Sequence, residues 1–280
     1  MKKILVPCDF SKQAINAFRF AVDCASKSRG EVHALHIIEL PVMHDSVLMP
    51  VLSFEETLLG ELKEKAESEF DKLKKKYGSE DVKITTVVAF GHPSKSIVQY
   101  IEENKIELVV MGTKGATGLK EILVGSNAEK VVRSSPVPVI AVKNYPRLDM
   151  IRNIVFPNTL HTEIQEDLVL KVKAMQNFFG AHLHIVFVNT PSNFTRDIIT
   201  NKRLQQFAKR FLFKNYSVHV FNDLYEEDGI INFSNLIKGD LIAMGTHSRK
   251  GISHVVNGSI AEDVVNHTDA PIWTYTMKNE

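Results

Sequence analysis

Short apolar runs alternate along this chain with longer stretches in which apolar residues recur every three or four positions. The runs at 3–7 (KILVP), 31–39, 82–89, 106–112 and 138–142 read as strands. Helical spacing predicts helices near 11–28, 54–77, 94–103 and 126–134. The stretch ELKEKAESEFDKLKKKY at 61–77 places apolar residues on one helical stripe among charges, which describes an exposed amphipathic helix. ELVVMG at 107–112 is apolar almost throughout, as expected of a parallel strand covered on both faces. Strand–helix alternation of this kind implies right-handed crossovers and a doubly wound α/β fold.

The pattern occurs twice. KILVP at 3–7 resembles NIVFP at 153–157, and GEVHALHII at 30–38 resembles GAHLHIVFV at 180–188. GTKGATGLKEILVGSNAEKVV at 112–132 aligns without gaps to GTHSRKGISHVVNGSIAEDVV at 245–265, so Gly112, Gly118, Gly125 and Ser126 recur as Gly245, Gly251, Gly258 and Ser259. The offset between copies falls from 150 to 133, so the first carries roughly 17 extra residues, mostly in PVMHDSVLMPVLSFEE after its second strand. The expectation is two tandem domains, 1–146 and 150–280. Each is a doubly wound parallel sheet of five strands in the order 3-2-1-4-5.

Composition narrows the function. A net charge of +1 over 280 residues argues against a general nucleic-acid binder, which carries a basic surplus on some face. The opening MKKILVPCDF is too short in apolar residues for a signal peptide, and no apolar window reaches the length that spans a bilayer. The two cysteines, Cys8 and Cys24, form no C-x-x-C pair, so a reduced, cytoplasmic protein is expected.

The glycines near residue 112 raise the chemical question. In an open α/β sheet ligands settle at the carboxyl ends of the strands where the strand order reverses. For the order 3-2-1-4-5 that crevice lies between the first and fourth strands, where Asp9 and Gly112 both face it. Gly112 and Gly115 permit positive φ and keep side chains out of a ligand's path. Gly125-Ser126 precedes the helix NAEKVVRS, whose free N–H groups and positive end favour phosphates, with Lys114 and Ser126 adding a charge and a hydroxyl. Asp9 repels phosphates and is therefore expected at the opposite end, accepting hydrogen bonds from a ribose hydroxyl or a base amino group. A structural reading stands beside this one. S-x-x-E at 126–129, repeated at 259–262, is a capping box, and glycine loops join strands to helices in many proteins. Neither G-x-x-x-x-G-K-[ST] nor G-x-G-x-x-G occurs.

The pattern G-x-x-G, nine residues, then G-[ST] resembles that of ATP-binding members of the universal stress protein family, and Gly112, Gly115, Gly125 and Ser126 match it at every fixed position. KKILVPCDFS, HALHII and SSPVPVIAV are similar to that family too, so the resemblance covers nearly the whole chain as two domains. It implies ATP, with or without Mg2+. Pro7 and Asp9 would stand at the end of the first strand, with Asp9 at the adenosine end, Ile38 against adenine and Met111 and Gly112 close by. Lys114, Gly115, Gly125, Ser126 and Asn127 would stand at the phosphates.

The second copy departs from the pattern: Thr159 replaces Asp9 and Ser248 replaces the second glycine, although His247 and Arg249 still offer attraction to an anion. A degenerate second site is expected. Other residues read as packing or solvated surface. Cys8 and Cys24 belong to strand-end and helix packing, and the basic residues at 195–214 to a solvated helix face above Phe207 and Phe211. The segment 41–52 is expected to act as a lid. His182 and His184 share a strand face, but without a carboxylate or cysteine partner no metal is expected.

Phosphoryl transfer needs a metal holder and a residue that positions the nucleophile. Asp9 alone is placed for either role, so no catalytic residue is expected and any ATPase activity would be slow. The remaining readings are a nucleotide-dependent signalling or protective module and a nucleotide-free scaffold. A phosphoacceptor receiver domain is excluded, because VVAFGHP after the third strand holds no aspartate. The apolar fifth strands, PVPVIAV and APIWTYT, need covering. The two copies are expected to pack as an intramolecular pseudo-dimer, with further association into a homodimer.

Overall fold

The computed structural model describes residues 1–39, 50–113, 126–160, 165–247 and 260–277, with 50–56, 126, 247 and 261–263 described by backbone alone. The first copy runs β1 (Lys3–Pro7), α1 (Lys12–Ser28), β2 (Glu31–Ile38), α2 (Pro50–Tyr77), β3 (Lys83–Phe90), α3 (Pro93–Asn104), β4 (Leu108–Gly112), α4 (Ser126–Ser134) and β5 (Val139–Val142). The second runs β6 (Asn153–Pro157), α5 (Glu166–Phe179), β7 (His182–Asn189), α6 (Asp197–Arg210), β8 (Tyr216–Asn222), α7 (Glu226–Ile237), β9 (Leu241–His247), α8 (Ile260–His267) and β10 (Ile272–Met277). The predicted strands and helices of the first copy therefore all form, with ends shifted by a few residues.

The strands join in one ten-stranded sheet, β3-β2-β1-β4-β5-β10-β9-β6-β7-β8. Each half keeps the order 3-2-1-4-5, and all its pairs are parallel. The halves meet where β5 and β10 pair antiparallel, with Trp273 opposite Ile140. The two apolar fifth strands thus become the centre of a shared sheet instead of its edges. This is the expected intramolecular pseudo-dimer, and it removes a sticky edge from each half.

The seam is also tied reciprocally. Lys143, just after β5, donates to the Asn266 carbonyl of α8 at 2.8 Å, and Thr276 of β10 donates to the Val132 carbonyl of α4 at 3.1 Å. A cation at a helix carboxyl end meets the negative end of that helix's dipole. On one face of the sheet a single apolar core runs through both copies, from Phe18 and Phe20 to Phe156 and Trp273. Phe20 of α1 stacks on Phe179 of α5 across the seam with centroids 6.5 Å apart. The other face holds two separate cores, one under α3 and α4 and one under α7 and α8.

The extra residues of the first copy are not all loop. α2 has 28 residues against 14 in α6, and it starts at Pro50, four residues ahead of the predicted start. Part of the PVMHDSVLMPVLSFEE insertion is therefore helix. The 41–49 part of the expected lid lies outside the described residues, and 50–52 are described only as helix backbone. The amphipathic reading of 61–77 holds: Ala66, Phe70 and Leu73 are buried while the charged positions face solvent.

Candidate functional site

The cleft begins where β1 and β4 part. Their ladder consists of Ile4↔Leu108 and Leu5↔Val109, and beyond it β1 continues through Pro7 to Asp9 while β4 continues to Gly112. The opening lies at the carboxyl ends, at the point where the strand order reverses. α4 begins at Ser126 on the return from β4, so its free N–H groups belong to this end of the sheet.

The corner after β1 is tightly made. Phe10 adopts a left-handed conformation with φ of 61°, and its ring packs on His36 and Phe70 with centroids 4.8 and 5.0 Å away. His36 of β2 donates through Nδ1 to the Cys8 carbonyl at 2.8 Å. Ser11 then caps α1, its Oγ accepting from the Ala14 N–H at 3.2 Å. These contacts leave Asp9 exposed, with Oδ1 accepting from the Ser11 N–H at 3.0 Å. One carboxylate oxygen is thereby fixed by the chain itself. Phe10 and His36 carry this geometry, and nothing in the residue pattern singled them out, because a left-handed phenylalanine has no sequence signature.

Of the other sequence-predicted site residues, Pro7 ends β1 half-buried, Ile38 ends β2 buried, and its carbonyl accepts from the Gly91 N–H at 3.0 Å. Met111 is buried in the α3–α4 core, and Asn127 is half-buried in the first turn of α4. Lys114, Gly115 and Gly125 lie outside the described residues, as does the side chain of Ser126. Glu129, the acid of the expected capping box, pairs with Arg133 at 3.2 Å one turn further along α4.

Gly112 requires a correction. Its φ is not positive, and it does not clear a ligand's path. A Cβ there would stand 2.7 Å from the Gln13 carbonyl carbon and 2.8 Å from the Ala14 nitrogen. The glycine exists so that the first turn of α1 can lie directly against the end of β4. Beyond it, Thr113 is buried and donates its N–H to the Val142 carbonyl at 3.1 Å, but its hydroxyl has no hydrogen-bond partner among the described residues. Strand alternation turns that hydroxyl to the α3–α4 side, the same face as Met111. Its counterpart, Thr246, donates to Thr276 Oγ1 at 3.1 Å.

The second copy builds the same corner and lines it differently. Leu160 repeats the left-handed turn with φ of 63°. Asn158 Oδ1 accepts from the Leu160 N–H at 2.7 Å, and Asn158 Nδ2 donates to Gln165 Oε1 at 2.7 Å. Both amides are buried, and Gln165 Nε2 reaches Thr159 Oγ1 at 3.5 Å. The exposed Thr159 stands at the position of Asp9, and the buried Asn158 stands at that of Cys8, so the second corner holds a bonded amide pair where the first has a thiol and offers no carboxylate. Ser248 and Arg249 lie outside the described residues, and His247 is described by backbone alone.

Neither cysteine is built for chemistry. Burial pushes the Cys8 thiol up to about 12 and that of Cys24 higher still, so both are protonated packing groups. Among the described residues no helix is long and apolar enough to cross a membrane.

Comparison with known proteins agrees with this architecture. The model of the universal stress protein family matches residues 1–143 and 224–275. Universal stress protein MJ0531 of Methanocaldococcus jannaschii is 36% identical over 142 residues, covering 51% of this chain and 82% of that protein. Universal stress protein Slr1230 of Synechocystis is 24% identical over 295 residues, covering 98% of this chain and all of its own length. The crystal structure of a universal stress protein from Archaeoglobus fulgidus superposes with a TM-score of 0.76, covering 99% of this chain and 97% of that one at 21% identity. A tandem fold with an intact copy and a departing one, matched by the family model in both halves, makes this chain a member of the universal stress protein family.

Proposed function

We propose that the amino-terminal copy (1–146) binds an adenine nucleotide, ATP, and that the carboxy-terminal copy (150–280) serves as its structural counterpart. The reading rests on the asymmetry of the two β1-type corners. The first presents an exposed carboxylate, Asp9, at the end of its first strand, whereas the second presents the exposed Thr159 there, beside a buried pair of amides. Asp9 Oδ1 is held by the Ser11 N–H, which orients the carboxylate to accept ribose or base donors. The orphaned Thr113 hydroxyl offers a further polar contact on the α4 side, where the helix end favours phosphate. Ile38, Met111 and Pro7 supply apolar wall for the base, and Lys114, Gly115, Gly125, Ser126 and Asn127 the phosphate loop.

A bound nucleotide would supply a ligand-dependent state for signalling or protection in stress, acting in the cytoplasm. Among the described residues Asp9 is the acid placed at the cleft, which suits binding and release better than turnover. Protein purified without added nucleotide, then denatured, is expected to release ATP. Asp9→Ala removes that ATP while leaving the melting curve in place. Equal retention by wild type and Asp9→Ala would overturn the assignment. Magnesium-dependent turnover well above that of Asp9→Ala would make the protein a slow ATPase instead.

A further inference from the structure

Away from the cleft, three histidines of the second copy converge on one hydroxyl. His182 and His184 stand two apart on β7, and His219 stands on the neighbouring edge strand β8, all on the face that carries α7. Ser217 Oγ lies 3.1 Å from His182 Nε2, 3.1 Å from His184 Nδ1 and 2.8 Å from His219 Nε2. His184 Nδ1 and His219 Nε2 are themselves 3.2 Å apart.

The outer nitrogens show which inner ones carry lone pairs. His184 Nε2 faces Asn153 Oδ1 at 3.2 Å, and the amide of Asn153 is turned that way because its Nδ2 and backbone N–H both reach the Asp240 carboxylate. His182 Nδ1 faces Asn215 Oδ1 at 2.9 Å, and Asn215 is oriented by donating its Nδ2 to the Ala181 carbonyl. Both imidazoles therefore donate outward to amide oxygens, and His184 Nδ1 and His182 Nε2 point inward unprotonated. Burial, with the neighbouring imidazoles adding to it, lowers His184 to about 4, and His219 is lowered for the same reasons. For His182 and His184, an outward N–H held by a fixed oxygen and an inward lone pair turned to one focus make the outer-shell arrangement that accompanies metal-bound histidine, while His219 Nε2 donates to His184 Nδ1 and must release that proton to join them.

We propose that His182, His184 and His219 form a binding site for a divalent transition-metal ion of the zinc class. As they stand, no three acidic, cysteine or histidine side chains among the described residues surround a point at coordinating distance. The Ser217 hydroxyl occupies the focus, and metal–nitrogen bonds of about 2.0–2.1 Å require it to rotate aside and the rings to close in by about 1 Å. The 3.2 Å between His184 Nδ1 and His219 Nε2 is already near the edge of about 3.3–3.4 Å that such bonds give in a tetrahedron. Water or the Ser217 hydroxyl completes the fourth position. The first copy lacks the set. At the matching register it carries Glu31 for His182, His33 for His184, Thr85 for Ser217 and Val87 for His219. Lys3 and Lys83 there neutralise Glu31 instead.

The test uses untagged full-length protein, stripped with a chelator, and Zn2+ competed against a chromophoric chelator. Wild type is expected to take up one Zn2+ per chain. His219→Val installs the residue of the first copy and should weaken uptake at least about 10-fold, the scale on which loss of even an outer-shell partner acts. Asn153→Ala, which frees the His184 ring, should weaken it to a similar degree, while Asp9→Ala should leave it unchanged. Co2+ bound in place of Zn2+ should give the visible absorption of a four-coordinate site. Absence of uptake by the wild type, or uptake that survives His219→Val in a variant with an unchanged melting curve, overturns the proposal.

Discussion

The two copies share one topology, one left-handed corner and one glycine at the end of the fourth strand, yet they spend those features differently. At the end of β4, Gly112 meets the backbone of α1 at Gln13 and Ala14. Near the end of β9, a Cβ on Gly245 would first meet the tips of Leu168 and Met277, at 2.7 and 3.1 Å. In the first copy the helix start is pressed on the strand and the corner residue is an exposed acid. In the second, α5 begins only at Glu166, and Asn158 and Gln165 pair beneath the corner while Thr159 replaces the acid. Duplication preserved the frame and exchanged the acid for a hydroxyl beside a buried amide pair. A buried amide pair bonded to itself satisfies its hydrogen bonds as well as a ligand would.

The sharpest way to break this comparison is at the two glycines. Gly112→Ala forces a Cβ into backbone that cannot retreat, and a loss of about 3 kcal/mol is expected, the upper end for overpacking. Gly245→Ala displaces flexible side-chain ends and should lose about 1 kcal/mol. Urea unfolding of both variants measures the difference, and equal losses would show that the two helix starts are equally constrained.

Next comes Asp9→Ala. Loss of a charged hydrogen bond to nucleotide, about 1.5–3 kcal/mol, should lower affinity roughly 10- to 100-fold by calorimetry. Thr159→Ala should leave it unchanged.

Asn158→Ala strips Gln165 of its partner and the Leu160 N–H of its acceptor. A loss of about 1–2 kcal/mol is expected. A second equivalent of nucleotide bound by this variant would show that the amide pair, and not Thr159 at the position of Asp9, is what silenced the second copy.

The smallest effect is on acid stability. Glu31 is held down at about 2, chiefly by the hydrogen bond from Lys83, against an ordinary value of 4.5. A depressed carboxyl contributes stability that is fully present above its unfolded value and is lost as pH falls from there toward 2. The cluster lies at the surface, so the contribution is about 0.5–1 kcal/mol. Glu31→Gln should flatten the stability curve between pH 4.5 and 2. His182 stands at this register in the second copy, which therefore lacks this carboxylate.

The repeat, the strand–helix alternation and the strand order were all legible in the residues. Apolar periodicity is imposed locally by which faces must be buried, and a gapless copy such as 112–132 on 245–265 repeats that imposition. The apolar fifth strands announced that they needed cover, and β5 and β10 found it in each other. Asp9 was placed at the cleft by strand order alone. Other features came only with tertiary structure, because they depend on neighbours distant in the chain. The true duty of Gly112 is set by α1, a hundred residues away. The left-handed Phe10 is held by His36 and Phe70, and the buried amide of Asn158 finds its partner in Gln165. His182 and His184 were visible as a strand pair, but His219 joins them only through the pairing of β7 with β8. Sequence sets which face each residue occupies. Only the packing of strands and helices sets which residues from separate segments share a point in space.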